Sequence, residues 1–138
     1  MYEKILVAVD QSEVAKRVLN AALELAALAQ GEVWVLHLRE REVGRMGPLP
    51  SSEGRDEASE TVTAAVETLT RAGIKAHGTV RDTVFGYAAR EIVNDAREHG
   101  TDVIVMGSRG RGDLAGLILG STAHKVIHLA DRAVLVVR

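Results

Sequence analysis

Apolar residues fall into short runs separated by stretches of helical period. Ile5–Val9 reads as a buried strand, and Ser12 is placed to cap the helix that follows. That helix carries Val14, Val18, Ala22, Leu25 and Ala29 on one stripe and ends before Gly31. Val33–Leu38 predicts a second strand. A second helix, Glu57–Ala72, places Ala58, Val62, Ala65 and Leu69 on one face and stops at Gly73. Ile74–Val80 alternates Ile74, Ala76 and Gly78 with Lys75, His77 and Thr79, as an edge strand does. Phe85–His99 predicts a helix with Phe85, Ala88, Ile92 and Ala96 inward, ended by Gly100. Asp102–Met106 is the fourth strand. A helix over Ser121–Ala130, with Ala123, Val126, Ile127 and Ala130 inward, leads to a last strand at Ala133–Val137. Only Arg39–Asp56 breaks this rhythm. It holds both prolines and Gly44, Gly47 and Gly54, and such a long connection inside a compact domain is usually functional.

Strands alternating with helices predict an α/β fold in one domain spanning residues 1–138, with a five-stranded parallel sheet and helices on both faces. Near-continuous apolar strands such as Val103–Met106 suit a sheet covered on both sides. A doubly wound, Rossmann-like order, 3-2-1-4-5, makes the first and fourth strands neighbours and reverses the winding between them. Ligands of open α/β sheets bind outside the carboxyl ends of the strands at such a switch point. Asp10 follows the first strand and Gly107 the fourth, so both segments are expected in one crevice.

Composition narrows the function classes. Of 138 residues, 46% are hydrophobic and 26% charged, and no apolar run is long enough to cross a membrane. The net charge of −2, with both signs interspersed, argues against nucleic-acid or membrane-surface partners. The absence of cysteine excludes disulfides, thiol catalysis and cysteine metal sites. With no signal-peptide pattern at Met1–Ile5, a cytoplasmic location is expected.

The chemistry concentrates in GSRGRGDLAGLILGST, residues 107–122. Gly107 and Gly112 have P-loop spacing, but Asp113-Leu114 stands where Lys-Ser/Thr is required. The dinucleotide fingerprint also fails, because Gly116 lies one residue too far from Gly112. Arg111-Gly112-Asp113 spells an adhesion tripeptide, which carries no meaning without secretion. What remains is Gly107-x2-Gly110-x9-Gly120-Ser121. Glycines there let backbone N–H groups converge, and Gly120-Ser121 opens a helix whose free N–H groups and dipole favour an anion. The Ser121 and Thr122 hydroxyls add donors, and Arg109 and Arg111 add positive charge. Two donor clusters on one crevice suit a triphosphate. Gly112 and Gly116 fit a role in chain geometry.

This segment, with KILVAVDQSEVAKRVLNAAL, VWVLHL and ADRAVLVV, resembles the universal stress protein family, in the branch with the G-2x-G-9x-G-(S/T) ATP motif. The resemblance covers essentially the whole chain. It implies the five-stranded fold of the adenine nucleotide alpha hydrolase type and ATP in the crevice. On that resemblance, Asp10 would bond the ribose, Ala8 and Val9 would line the base, and the Leu38 main chain would meet adenine. Met106 and Gly107 would close the other side. Gly110, Gly120, Ser121 and Thr122 would hold the phosphates, with Arg109 beside them. Mg2+ or Mn2+ would be held mainly through phosphate oxygens, without protein ligands. The family commonly dimerises through its last strand. Ala133–Val137 is continuously apolar at a sheet edge, so a homodimer is expected there. One departure stands out: VRDTVFGYAAR has Gly86 late and lacks the glycine and proline that often follow the third strand in this family.

The expected function is ATP binding in a nucleotide-dependent regulatory or stress-response role. The alternatives are a slow ATPase or a sensor of AMP or cyclic AMP. Phosphate cradling is legible, whereas a water-positioning base and an arginine finger are not. A receiver-type reading needs an acidic pair after the first strand, which Gln11 breaks, and a phosphatase-type reading of Asp10 needs a second acid where Ser12 stands. His124 and His128 share a helix face without a third ligand and read as exposed; His37 reads as packed. Glu40, Glu42, Asp95 and Glu98 read as solvated charge.

Overall fold

The computed structural model describes residues 1–110 and 118–138. Its elements run β1 (Lys4–Ala8), α1 (Ala15–Ala29), β2 (Glu32–Arg41), β3 (Val43–Gly44), β4 (Gly47–Pro48), α2 (Arg55–Arg71), β5 (Lys75–Val84), α3 (Ala88–His99), β6 (Val103–Gly107), α4 (Ser121–Leu129) and β7 (Ala133–Val137). Five of the strands form a parallel sheet in the order β5-β2-β1-β6-β7. Counting only these long strands, this is the expected 3-2-1-4-5.

Strand alternation divides the core. Ile5, Val7, Val33, Val35, Val103 and Val105 face Val18, Ala22 and Ala26 of α1 and Val62, Ala65 and Leu69 of α2. Leu6, Leu36, Ile104 and Met106 face Ala89, Ile92, Val93 and Ala96 of α3 and Ala123 and Val126 of α4. Ile5, Leu6, Ile104 and Val105 are all 0% exposed, which is why β1 and β6 read as unbroken apolar runs. The α2 stripe expected from the sequence, Ala58, Val62, Ala65 and Leu69, is its buried face. Gly78 on β5 is what lets α2 approach, because a Cβ there would overlap a methyl of Val62.

Several local expectations are corrected. Ser12 does not cap α1: the helix begins at Ala15 behind Val14, with no side-chain cap. The Asp10 carboxylate accepts the Ser12 N–H at 2.8 Å, and behind this Asx turn the helix starts at Ala15 and not directly after Ser12. The irregular stretch 39–56 is shorter than expected at both ends. β2 and β5 pair from Glu32↔Lys75 to Arg41↔Val84, with Arg39 bridging Asp82 at 3.0 Å, and α2 already starts at Arg55. Phe85 is not on a helix stripe. Gly86, at φ +94°, turns the chain before α3, leaving Phe85 71% exposed. Ile127 is 49% exposed, because the short α4 packs through Ala123 and Val126 and turns its neighbour outward.

Candidate functional site

The connections leaving β1 and β6 diverge, and a cleft of about 780 Å³ opens between them, a volume typical of small-ligand sites. Ala8, Val9, Asp10, Leu38, Met106, Gly107, Arg109, Gly110, Gly120, Ser121 and Thr122 all line it. The fold thus brings these expected residues together from four separate segments. Arg111, Gly112 and Gly116 lie outside the described residues.

Local bonds build one wall. At the end of β6 the Ser108 N–H donates to the Val137 carbonyl at 2.7 Å, and the Gly120 N–H donates to the Ser108 carbonyl. These bonds fix the start of α4 against the end of the sheet. Gly107 serves close approach, since a Cβ there would lie 3.1 Å from the Arg109 carbonyl and 3.5 Å from Val14 and Val18 methyls. α4 begins after Gly120 with no side-chain cap and no acidic residue in its first turn. Its first backbone bond runs from the His124 N–H to the Gly120 carbonyl, so the Ser121, Thr122 and Ala123 N–H groups have no acceptor within the helix.

Charge is divided across the cleft. Arg109 and Lys125 line it with the α4 N-terminus, while Asp10, Glu40 and Glu53 supply carboxylates. Burial pushes the Glu40 carboxyl above its ordinary range, and the negative charge of Asp10 adds to the shift. Although Glu40 as a whole is solvent-accessible, its carboxyl belongs to the cleft and is not simply a solvated charge. Leu36, Ala89, Ile92 and Met106 add an apolar lining to the same cleft. Such an arrangement can hold a ligand with an anionic end, a flat apolar part and hydroxyl groups. Among the described residues, no group of three or more His, Asp or Glu side chains is placed to hold a metal ion.

His124 and His128 fall elsewhere, exposed on α4, whereas His37 is packed at 3% exposure and lines the cleft. Asp95 corrects the sequence reading: it is 2% exposed and pairs with Arg81 at 2.8 Å and His99 at 3.2 Å, away from the cleft. The reading missed Lys125, Phe85 and the Ser51–Glu53 segment. Lys125 was legible, being four residues beyond Ser121 on one helix face. Ser51–Glu53 was not, because its ties reach distant parts of the chain.

An open parallel α/β sheet with a cleft at its switch point defines the class of protein. Residues 1–138 match the Universal stress protein family, and the chain belongs to it. Universal stress protein YxiE of Bacillus subtilis is 33% identical over 153 residues, covering 100% of both chains. The solved structure of MJ0577, a protein of Methanocaldococcus jannaschii, is similar with a TM-score of 0.81 at 27% identity, covering 99% of this chain and 96% of that one. The Archaeoglobus fulgidus universal stress protein in complex with dAMP gives a TM-score of 0.74 at 30% identity, covering 99% and 98%.

Proposed function

We propose that this protein binds ATP in the switch-point cleft and acts as a nucleotide-dependent regulator, with hydrolysis slow or incidental. The observation that carries this reading is the charge that lines one cleft: uncapped N–H groups of α4 with Arg109 and Lys125 from the β6–α4 side of the switch point, carboxylates of Asp10 and Glu40 from the β1–β2 side. Phosphates belong at the first, ribose hydroxyls at the second, and the base against the apolar lining. Asp10 accepts from the ribose. Ala8, Val9 and the Leu38 main chain border the base, with Met106 and Gly107 opposite. Gly110, Gly120, Ser121 and Thr122 hold phosphate oxygens. The dAMP complex of the Archaeoglobus fulgidus relative supports an adenine nucleotide. The Gly107-x2-Gly110-x9-Gly120-Ser121 spacing supports a triphosphate over a monophosphate.

Mg2+ or Mn2+ fits as a companion of ATP coordinated chiefly by phosphate oxygens, given the phosphate donors of the cleft. The P-loop lysine is replaced by Asp113 in the sequence, which fits holding ATP more than turning it over. A cytoplasmic role suits the composition, and among the described residues no helix is long and apolar enough to cross a membrane. β7 lies at the sheet edge with Leu135 41% exposed, and we assign it to a homodimer contact. Sedimentation at micromolar concentration tests that contact; a strict monomer contradicts it.

The test of the site is a pair of variants. Gly110→Trp is expected to abolish ATP binding with the far-UV spectrum retained, and Asp10→Ala to weaken all nucleosides alike. Unchanged affinity in both overturns the assignment. ADP production exceeding stoichiometry within minutes, and lost in Asp10→Ala, would make the protein an ATPase.

A further inference from the structure

The acidic end of the cleft is bordered by a stretch of chain that belongs to no helix or strand. Ser51, Ser52 and Glu53 line the cleft with Asp10 and Gln11. Little apolar burial holds the residues leading to this strap: Met46 is fully exposed and Leu49 is 47% exposed. Polar ties converge on Glu53 instead. Its Oε1 lies 2.6 Å from His37 Nε2 and accepts from Gln11 Nε2 at 3.2 Å. Its carbonyl accepts from Arg39 Nε at 3.2 Å and Nη2 at 2.9 Å. The second nitrogen of the ring, His37 Nδ1, lies 2.8 Å from the Val9 carbonyl, and Val9 lines the same cleft.

These contacts fix a proton count. The Val9 carbonyl can only accept, and so can an ionised Glu53. A neutral imidazole brings a single N–H, so bonds on both sides of His37 require a second proton, held between Nε2 and Oε1. With the ring 3% exposed and the Glu53 side chain 12% exposed, this short bond is shielded from water, where a polar tie is stronger than at the surface. The imidazole is a rigid spacer between the end of β1 and the strap.

We infer that His37 is a positioning residue of the nucleotide site: through Glu53 it fastens Ser51–Glu53 as one wall of the cleft and thereby sets how long a bound adenine nucleotide stays. This inference rests on the proposed nucleotide binding and adds a residue set to it. Segments with few apolar contacts open at low cost, so the rate of opening depends on the polar ties.

The ties make two substitutions at Glu53 behave differently. Glu53→Ala removes the acceptor and leaves the ring without a strap partner. Glu53→Gln allows a neutral His37 to keep both bonds, with Nδ1–H donating to Val9 and Nε2 accepting from the amide. The experiment follows release of N-methylanthraniloyl-ATP by stopped flow, with hydrogen exchange of residues 49–54 measured in the ligand-free protein. Glu53→Ala is expected to release the probe about tenfold faster, the loss of the buried His37 tie together with the longer Gln11 bond, at an unchanged association rate. Exchange across 49–54 should rise in parallel, and Glu53→Gln should restore both to within about threefold. A release rate unchanged in Glu53→Ala overturns the inference, as does Glu53→Gln behaving like Glu53→Ala. If the unmodified protein binds no adenine nucleotide, the functional reading fails and the residence role falls with it. Faster exchange in Glu53→Ala would then still show the strap fastened as described, separating the two failures.

Discussion

Placing a carboxylate at the first position of α4 separates ligand binding from helix stability. Ser121 is exposed, α4 has no side-chain cap, and its first turn carries no acidic residue. In Ser121→Glu the new charge faces the positive end of the helix dipole, which stabilises the fold by about 0.3–1 kcal/mol. For a domain of this size the melting temperature should rise by about 1–4 °C. The same charge competes with phosphate oxygens for the Thr122 and Ala123 N–H groups. Two like charges ~4 Å apart repel by about 1–4 kcal/mol between a water-like and a surface dielectric. ATP affinity should therefore fall at least about fivefold, and as much as several hundredfold. Calorimetric titration paired with urea unfolding reads both effects on one preparation, with Ser121→Gln as the uncharged control. A more stable protein that binds ATP as tightly as the parent refutes the placement of phosphates at α4. Equal weakening in Glu and Gln variants shows that the hydroxyl matters and the charge does not.

Further outcomes follow from the packing and charge already described. Asp95→Ala leaves Arg81 and His99 without their buried partner and should cost about 1.5–3 kcal/mol in urea unfolding, with nucleotide affinity unchanged. Gly78→Ala forces a methyl into Val62 and should destabilise by about 1–3 kcal/mol, seen as a lower urea midpoint; no change would mean that α2 shifts freely on β5. The raised Glu40 carboxyl binds its proton more tightly in the folded than in the unfolded chain. It therefore lowers stability as pH rises above the usual carboxylate range and leaves stability untouched well below it. Glu40→Gln should remove that decline, gaining a small increment at neutral pH and none in acid. A gain of equal size at both would place its cause outside Glu40 ionisation.

Strand order and the glycine segment were legible because both depend on local pattern: apolar runs for buried strands, helical stripes between them, and fixed spacing around the α4 start. The failures share a different cause. Arg39, Glu40 and Arg41 look like loop residues in sequence, yet they extend β2 because β5 pairs beside them and Asp82 meets Arg39. Ser12 looked like a cap, but Asp10 had already taken its N–H. Asp95 sits three residues from Ile92 on the inward stripe of α3, a charge on an apolar face that should have signalled a buried partner. Glu53 offered no such signal. Its partners His37 and Gln11 come from β2 and from the turn after β1, and only the folded chain brings them to it.

The central claim is that the switch-point cleft holds ATP. The most direct measurement is calorimetric titration of nucleotide-stripped protein with ATP, ADP, AMP and cyclic AMP in the presence of Mg2+. Saturable binding of one ATP per chain is expected, tighter than that of AMP or cyclic AMP because the α4 N-terminus and Arg109 engage the added phosphates. Absence of saturable ATP binding, or affinity that does not change with the number of phosphates, contradicts that claim.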